Sequence, residues 1–362
     1  MFKKRKLLST LLLVILVLSL ALTGCGDNKD TSGTGGNTGS TGNGDKTDST
    51  GNNEEQYVIK YAHNQLESTP QHEGTLLFKE KVEELSNGRI TVQIFPNNEL
   101  GSMREVIEQV QSGQIELAQQ SLSVLTNFAP ELAVTDLPYL FPSEEVLWET
   151  LDGPMGDKLN GNLESAGLKA LGYMSGGPKQ FSSNMPIRTL ADFKSQRFRA
   201  LPAPIIISTF ESLGINPIPI EFSELYNSLQ QGVVDGQENP TQTVDMLRLY
   251  EVQKYVALTD HAWMIYNNVM NKDFFDKLPA DLQEAVVEAM DYANVEQRKI
   301  MSSEEETYIK NIEANGCEVI RISDEVKADL AKATSVVEEQ FRDTIGADLI
   351  AEFKAEIERL SK

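Results

Sequence analysis

Two arginines and a lysine stand together in Leu190-Ala191-Asp192-Phe193-Lys194-Ser195-Gln196-Arg197-Phe198-Arg199-Ala200-Leu201-Pro202. The chain carries 32 Lys and Arg against 54 Asp and Glu, a net charge of −22, so any anion site must be built from such a local group against the global field. Alternation along an extended segment sends Arg197 and Arg199 to one side, and Arg199 falls at the carboxyl end, where crevices form in α/β sheets. From composition alone, guanidinium groups left on the surface are the competing reading.

Other chemistry is sparse. The three histidines are His63, His72 and His261, and the first two lie nine apart around a proline, so they cannot share a helical face as a zinc pair would. No GxSxG elbow, Walker loop or GxGxxG is present. Gly172-Tyr173-Met174-Ser175-Gly176-Gly177 follows an expected strand but leads to Pro178-Lys179 and more β-like sequence, a poor phosphate cradle. Glu144-Glu145 and Glu304-Glu305-Glu306 read as solvated helix faces rather than acid–base pairs. No catalytic group, cofactor or metal is expected, which shifts weight toward binding.

The amino terminus says where such binding takes place. Lys3, Lys4, Arg5 and Lys6 precede an apolar and small-residue run, Leu7–Leu22, shorter than the roughly 20 apolar residues of a membrane span. Leu22-Thr23-Gly24-Cys25 resembles the bacterial lipobox, which implies a signal peptide over 1–24 and acylation of Cys25. Removing 1–24 leaves a charge near −26, which repels nucleic acid and anionic headgroups, so the lipid is the membrane anchor and no nucleic-acid partner is expected. Cys317 then has no disulfide partner, and core burial must hold the fold. Residues 26–56 are Gly, Ser, Thr, Asn, Gln and charged residues with no aliphatic or aromatic side chain, a flexible tether.

The body must position the cations. Tyr57–Ala62 is β-prone; Thr69-Pro70 starts a helix with Leu77, Phe78, Val82 and Leu85 on one face; Arg89–Phe95 alternates as a strand. A helix over Ser102–Ser112 and a strand at Ile115–Ala118 complete a β-α-β-α-β series. Later come strands at Leu168–Tyr173 and Arg197–Ala200, then helices near Ile205–Leu213 and Ser223–Gln231. This pattern predicts an α/β fold with a largely parallel sheet, long enough for two lobes. From Leu278-Pro279-Ala280-Asp281 to about Ala314 a helical pattern runs without a breaker; it lacks a sustained heptad and reads as one helix laid across both lobes.

At the arginine block the sequence resembles the DctP-type substrate-binding proteins of tripartite ATP-independent periplasmic (TRAP) transporters. Asp192–Arg199 looks like the family's D-L-K-G-L-K-(I/L/F)-R, and Phe222–Pro240 closes on its D-G-Q-E-N-P. Phe95-Pro96-Asn97-Asn98-Glu99-Leu100-Gly101 and Leu137-Pro138-Tyr139-Leu140-Phe141 add two more blocks. The resemblance implies a two-lobed periplasmic-binding-protein-like fold with a hinge and a long helix spanning both lobes. It places lobe I at 57–176 plus about 265–301 and lobe II at 177–264 plus about 302–362. It also makes Arg199 the clamp on a ligand carboxylate, a role suited to a planar fork of donors. Asn239 completes the carboxylate site, Lys179 takes a position often held by a second arginine, and Asn64 and Gln120 present polar groups. Phe222, Trp263 and Tyr266 wall the pocket, with a core role open for each. The implied ligand is a small carboxylate, either a C4-dicarboxylate or a sugar acid such as a hexuronate, and the implied partners are TRAP membrane permease subunits. A ligand-sensing module for a receptor kinase and a secreted hydrolase or lyase are the alternatives, separable by neighbouring genes and by turnover of a bound acid.

Overall fold

The computed structural model describes residues 55–362. The expected signal peptide, the acylation site Cys25 and the tether as far as residue 54 lie outside the described residues. The first series is β1 (Tyr57–Ala62), α1 (Pro70–Leu85), β2 (Ile90–Phe95), α2 (Met103–Gln111) and β3 (Leu117–Ser121), the order expected. Thr69 caps α1 by accepting from the His72 N–H, with Pro70 in the first turn; Ser102 and Glu105 form a reciprocal capping box on α2. Short α3 (Leu122–Leu125), α4 (Glu144–Leu151) and α5 (Pro154–Glu164) lead to β4 (Leu168–Ser183).

The second series comprises β5 (Arg199–Ala200), α6 (Pro204–Ser212), β6 (Ile218–Pro219), α7 (Leu225–Gln230), β7 (Gly236–Pro240), α8 (Thr241–Met246), β8 (Tyr255–Leu258) and β9 (Trp263–Asn271). The chain ends with α9 (Lys272–Lys277), α10 (Ala280–Ala314), β10 (Glu318–Arg321), α11 (Asp324–Thr334), α12 (Val336–Ile345) and α13 (Ala347–Leu360).

One sheet runs β10-β8-β4-β9-β3-β1-β2, with β7 also on β4, while β5 and β6 pair separately. It is mixed rather than largely parallel. β1, β2 and β3 are parallel, as are β8 and β10, but β9 is antiparallel to β3 and β4, and β4 is antiparallel to β7 and β8. The strand that makes the difference, β9, has two asparagines at its centre and no apolar alternation. It is tolerated because the asparagines are bonded across the core: Asn268 accepts from the Tyr61 hydroxyl and donates to Asn294, and Asn267 donates to Asn160.

β4 joins two halves of the sheet. It does not stop near Tyr173 but continues through Gly176-Gly177, with a register irregularity between Ser175 and Gly177 and Gly177 at φ 92°. Before this kink β4 pairs with β9; beyond it the strand pairs with the first residues of β9 and then with β7 and β8, joining the half that also holds β10. α10, 35 residues long as the sequence pattern indicated, lies along both halves. Its Leu282, Val286, Ala289 and Met290 share a core with Phe78 and Val82 of α1, whereas Ile312 enters a separate core with Leu225, Leu229, Val244 and Val256. This is the two-lobed α/β architecture with a spanning helix. The last helices touch both series: α11 and α12 pack on α6, and α13 packs on α4 and α5.

Phe181, Phe193, Phe198 and Phe210 meet edge to face. Phe198 projects into this aromatic core, so Arg199 beside it projects the other way. Phe198 also bridges to Gly236, where a Cβ would stand 2.4 Å from the Phe198 ring and 2.7 Å from the Ser182 carbonyl oxygen. Gly236→Ala therefore overpacks the junction that sets Arg199, and we expect a loss of about 1–3 kcal/mol in denaturant unfolding. A variant as stable as the wild type would show that the junction relaxes without cost.

Candidate functional site

Arg199 is 1% exposed. Its Nε donates to the Ile220 carbonyl oxygen at 2.8 Å, but its Nη2, shielded from solvent, makes no hydrogen bond among the described residues. Burial draws the guanidinium pKa down to about 10, with Glu238 and Glu221 opposing the shift, so it stays charged at neutral pH. Neighbouring cations are spent or solvated. Arg197 is exposed and binds both Asp235 carboxylate oxygens, and Lys194 lies in solvent. A buried charge-bearing donor without an acceptor is costly unless an incoming anion supplies one.

Asn239 and Lys179 lie across neighbouring strands, with β7 registering Asn239 against Gln180 of β4. Asn239 is buried and donates to Gln237, whose own amide donates to the Ser182 hydroxyl at 2.8 Å. Lys179 is fully buried, and its ammonium is already engaged: Nζ donates to Asp136 at 3.0 Å and lies 3.7 Å from Glu238. Burial works to lower the Lys179 pKa, but the two carboxylates outweigh it and hold the group above its ordinary value. The network continues from Ser123 to Asp136 at 2.9 Å, from Glu238 to His261 at 3.0 Å and from His261 to Thr259 at 2.8 Å. Burial alone would raise the Glu238 carboxyl; Lys179, His261 and Arg199 bring it down to about 2.

Asn64 and Phe222 line one cavity of about 240 Å³. Its wall combines Asn64, Gln65, Leu66 and Thr69 after β1 and Asn97 and Asn98 after β2 with Phe222, Ser223 and Tyr226 and with Gln242, Thr243, Met246 and Leu247 of α8 and its end. Both series of the fold thus contribute. Asn97 and Asn98 adopt the left-handed conformation, φ 53° and 58°, which asparagine tolerates better than most residues. Their N–H groups donate to the Gln65 and His63 carbonyls, so the block at Phe95–Gly101 fixes one side of this wall. Gln65 also donates to Asn64 at 3.3 Å and to the Tyr266 hydroxyl at 2.8 Å, tying Tyr266 to the wall from behind. Arg199 is linked to the opposite side through Ile220, two residues before Phe222.

Of the residues expected at the site, Arg199, Asn239, Lys179, Gln120, Trp263 and Tyr266 are not among those that line this cavity. Gln120 stands opposite Asn267 while its neighbour Ser121 stands opposite Tyr266, so Gln120 and Tyr266 leave opposite faces of the sheet. Trp263 lines a separate groove with Tyr139, Asp260 and Lys327.

Several residues escaped the sequence reading. Asp136, Glu238 and His261 are single polar residues scattered over 125 positions; only the D-G-Q-E-N-P block pointed toward one of them. His63 and His72 share no helical face, yet the turn into α1 brings their rings together, Nε2 to Nδ1 at 3.1 Å. Burial first, then the neighbouring imidazole, pushes the His63 pKa down to about 3, and no third metal-ligating residue joins the pair among the described residues. Nor are all three of Glu304–Glu306 merely solvated: Glu305 accepts from the Thr241 hydroxyl at 2.7 Å, its other oxygen is shielded and has no hydrogen-bond partner among the described residues, and burial raises its pKa.

The profile of the family described as bacterial extracellular solute-binding protein, family 7 (DctP), matches residues 61–344. The chain belongs to this family. It is 33% identical over 310 residues to the C4-dicarboxylate-binding periplasmic protein DctP of Rhodobacter capsulatus, covering 83% of this chain and 91% of that one. Among solved structures it is similar to a TRAP periplasmic solute binding protein of Sulfurospirillum deleyianum with bound succinate, with TM-score 0.79, 34% identity and coverage of 83% and 99%. It is also similar to the sugar acid binding protein DctPAm of Advenella mimigardefordensis in complex with galactonate, with TM-score 0.82, 29% identity and coverage of 84% and 99%. The family is one of extracytoplasmic solute-binding proteins.

The two buried cations make contrasting predictions. Lys179→Met strands Asp136 and Glu238 and should cost about 3–5 kcal/mol of stability without ligand; an unchanged melting curve would mean that the network carries no weight. Glu238, held near 2 against an ordinary 4.5, adds stability that is present above about pH 4.5 and lost as pH falls toward 2. Melting temperature should therefore fall over that window more steeply for the wild type than for Glu238→Gln, and equal slopes would contradict the assignment.

Proposed function

We propose that this protein captures a small organic acid outside the cytoplasm, closes on it between its two lobes and presents it to the membrane subunits of a TRAP transporter. The observation that carries the reading is Arg199, a charged guanidinium 1% exposed with a shielded nitrogen lacking an acceptor. A carboxylate meets such a fork with two parallel charge-assisted hydrogen bonds. The relatives named above bind C4-dicarboxylate, succinate or galactonate, and each of these ligands carries a carboxylate. In this reading Asn239 offers the carboxylate an amide without altering the charge, Asn64 and Phe222 line the cavity, and Tyr266 braces its wall through Gln65. Lys179, in this reading, holds Glu238 in place rather than meeting the ligand itself.

Closure turns on Gly176-Gly177, where β4 passes from 57–176 to the lobe that begins at 177, while α10 spans the junction. Nothing in this scheme makes or breaks a covalent bond of the ligand. In this reading Cys25 carries the lipid that keeps the protein at the membrane surface, where it meets the membrane subunits.

Arg199→Lys preserves the charge but not the coplanar donors. Its affinity for an acid bound by the wild type should fall by about 2–4 kcal/mol, or roughly 30-fold to 1000-fold, with the ligand-free melting curve unchanged. Equal affinities in parallel titrations would remove Arg199 from the site. For the anchor, Cys25→Ser should move the protein from the membrane to the soluble fraction with its ligand affinity intact; wild-type recovery in the membrane fraction would refute lipidation there.

A further inference from the structure

We propose that His63 and His72 form a proton-sensitive brace behind the cavity wall: two neutral imidazoles hold the turn between β1 and α1, and a further proton on either ring releases it. Both residues are buried. The Gln65 backbone N–H donates to His63 Nδ1 at 3.2 Å, so this nitrogen accepts and the His63 proton sits on Nε2. Nε2 lies 3.1 Å from His72 Nδ1, which accepts in turn, and His72 keeps its own proton on Nε2. The two hydrogen bonds thus fix both tautomers and use the lone pair of each ring. A further proton has to face another donor: at His63 Nδ1 it meets the Gln65 N–H, and at His72 Nδ1 it meets the His63 N–H.

The surroundings favour the neutral pair. His72 is the third residue of α1, where unsatisfied backbone N–H groups concentrate positive partial charge. Glu67 of the turn and Glu73 of α1 draw a proton toward His72, but burial outweighs them. His63 faces the His72 ring, and the Tyr266 hydroxyl, reached through the Gln65 side chain, is kept neutral by burial. His261 differs, since its imidazole meets the Glu238 carboxylate. What the brace holds is the wall itself. The Asn98 and Asn97 N–H groups donate to the His63 and Gln65 carbonyls, and Thr69 accepts from the His72 N–H. Asn64, Gln65, Thr69, Asn97 and Asn98 all line the cavity.

Linkage gives the sign and the size. Both imidazoles are held below their ordinary value of 6.5 in the folded wall, so the closed turn binds fewer protons than the open one. Its stability is complete above about pH 6.5 and is lost as pH falls below that. Between pH 7.5 and 5.5, each histidine that gains its proton only on opening multiplies the opening equilibrium about ten-fold, and the two together about 100-fold.

The test is amide hydrogen exchange on the ligand-free protein, corrected for the intrinsic effect of pH, beside NMR of the imidazole nitrogens. Protection of the Asn97 and Asn98 amides should fall by about 10-fold to 100-fold from pH 7.5 to 5.5, while the amides of α10 keep theirs. His72→Asn, whose amide oxygen can accept from His63 Nε2–H but cannot gain a proton, should cut that loss about ten-fold. His63 should carry its proton on Nε2 and stay neutral at pH 5.5. A His63 proton on Nδ1, a fall of less than about three-fold in the wild type, or an equal fall in His72→Asn overturns the proposal. Should His72→Asn fail to fold, the wild-type tautomer and exchange profile decide alone.

Discussion

A guanidinium withdrawn from water must be matched by acceptors or it destabilises the fold, and around Arg199 this requirement is met only in part. The protein supplies the Ile220 carbonyl and the field of two nearby carboxylates, and leaves one nitrogen open. The arrangement is stable only because a second buried cation restrains the carboxylate: Lys179 and His261 hold Glu238 ionised within the core. Without Lys179, Glu238 would lose its largest compensating charge and keep only His261 and Arg199. Without Glu238, only Glu221 and the Ile220 carbonyl would offset the burial of Arg199. Binding strength is therefore stored as incomplete pairing, which a ligand carboxylate completes.

The surrounding elements serve that arrangement. The aromatic cluster of Phe181, Phe193, Phe198 and Phe210 draws one side of the Arg197–Ala200 segment inward and directs Arg199 to the other. Gly236 lets β7 approach Phe198 closely enough for Glu238 and Asn239 to follow in register against β4. At the junction between the halves of the sheet, Gly177 takes a left-handed turn with Met301 and Glu305 of α10 close by, so the spanning helix rests directly on the place where β4 changes partners.

Much of this was legible because local chemistry agreed with the final structure. Thr69-Pro70 and Ser102 start helices in isolation as they do here, and the 35-residue helix needed only the absence of breakers. What escaped reading depends on partners distant in sequence. β9 hides behind Asn267 and Asn268, whose cost is offset by Asn160 and Asn294 more than 25 residues away. Lys179 looks like a ligand contact until Asp136, 43 positions earlier, is placed beside it. Glu305 looks solvated until Thr241 arrives from α8, and the two histidines meet only because the chain turns between them.

The central claim is that the open nitrogen of Arg199 is where the ligand carboxylate sits. The most direct measurement is a crystal structure of the mature protein with the tightest-binding organic acid. The account predicts a carboxylate oxygen within about 3 Å of Arg199 Nη2, with the Lys179–Asp136 and His261–Glu238 contacts retained. A carboxylate bound elsewhere, with Nη2 still lacking an acceptor, would contradict it.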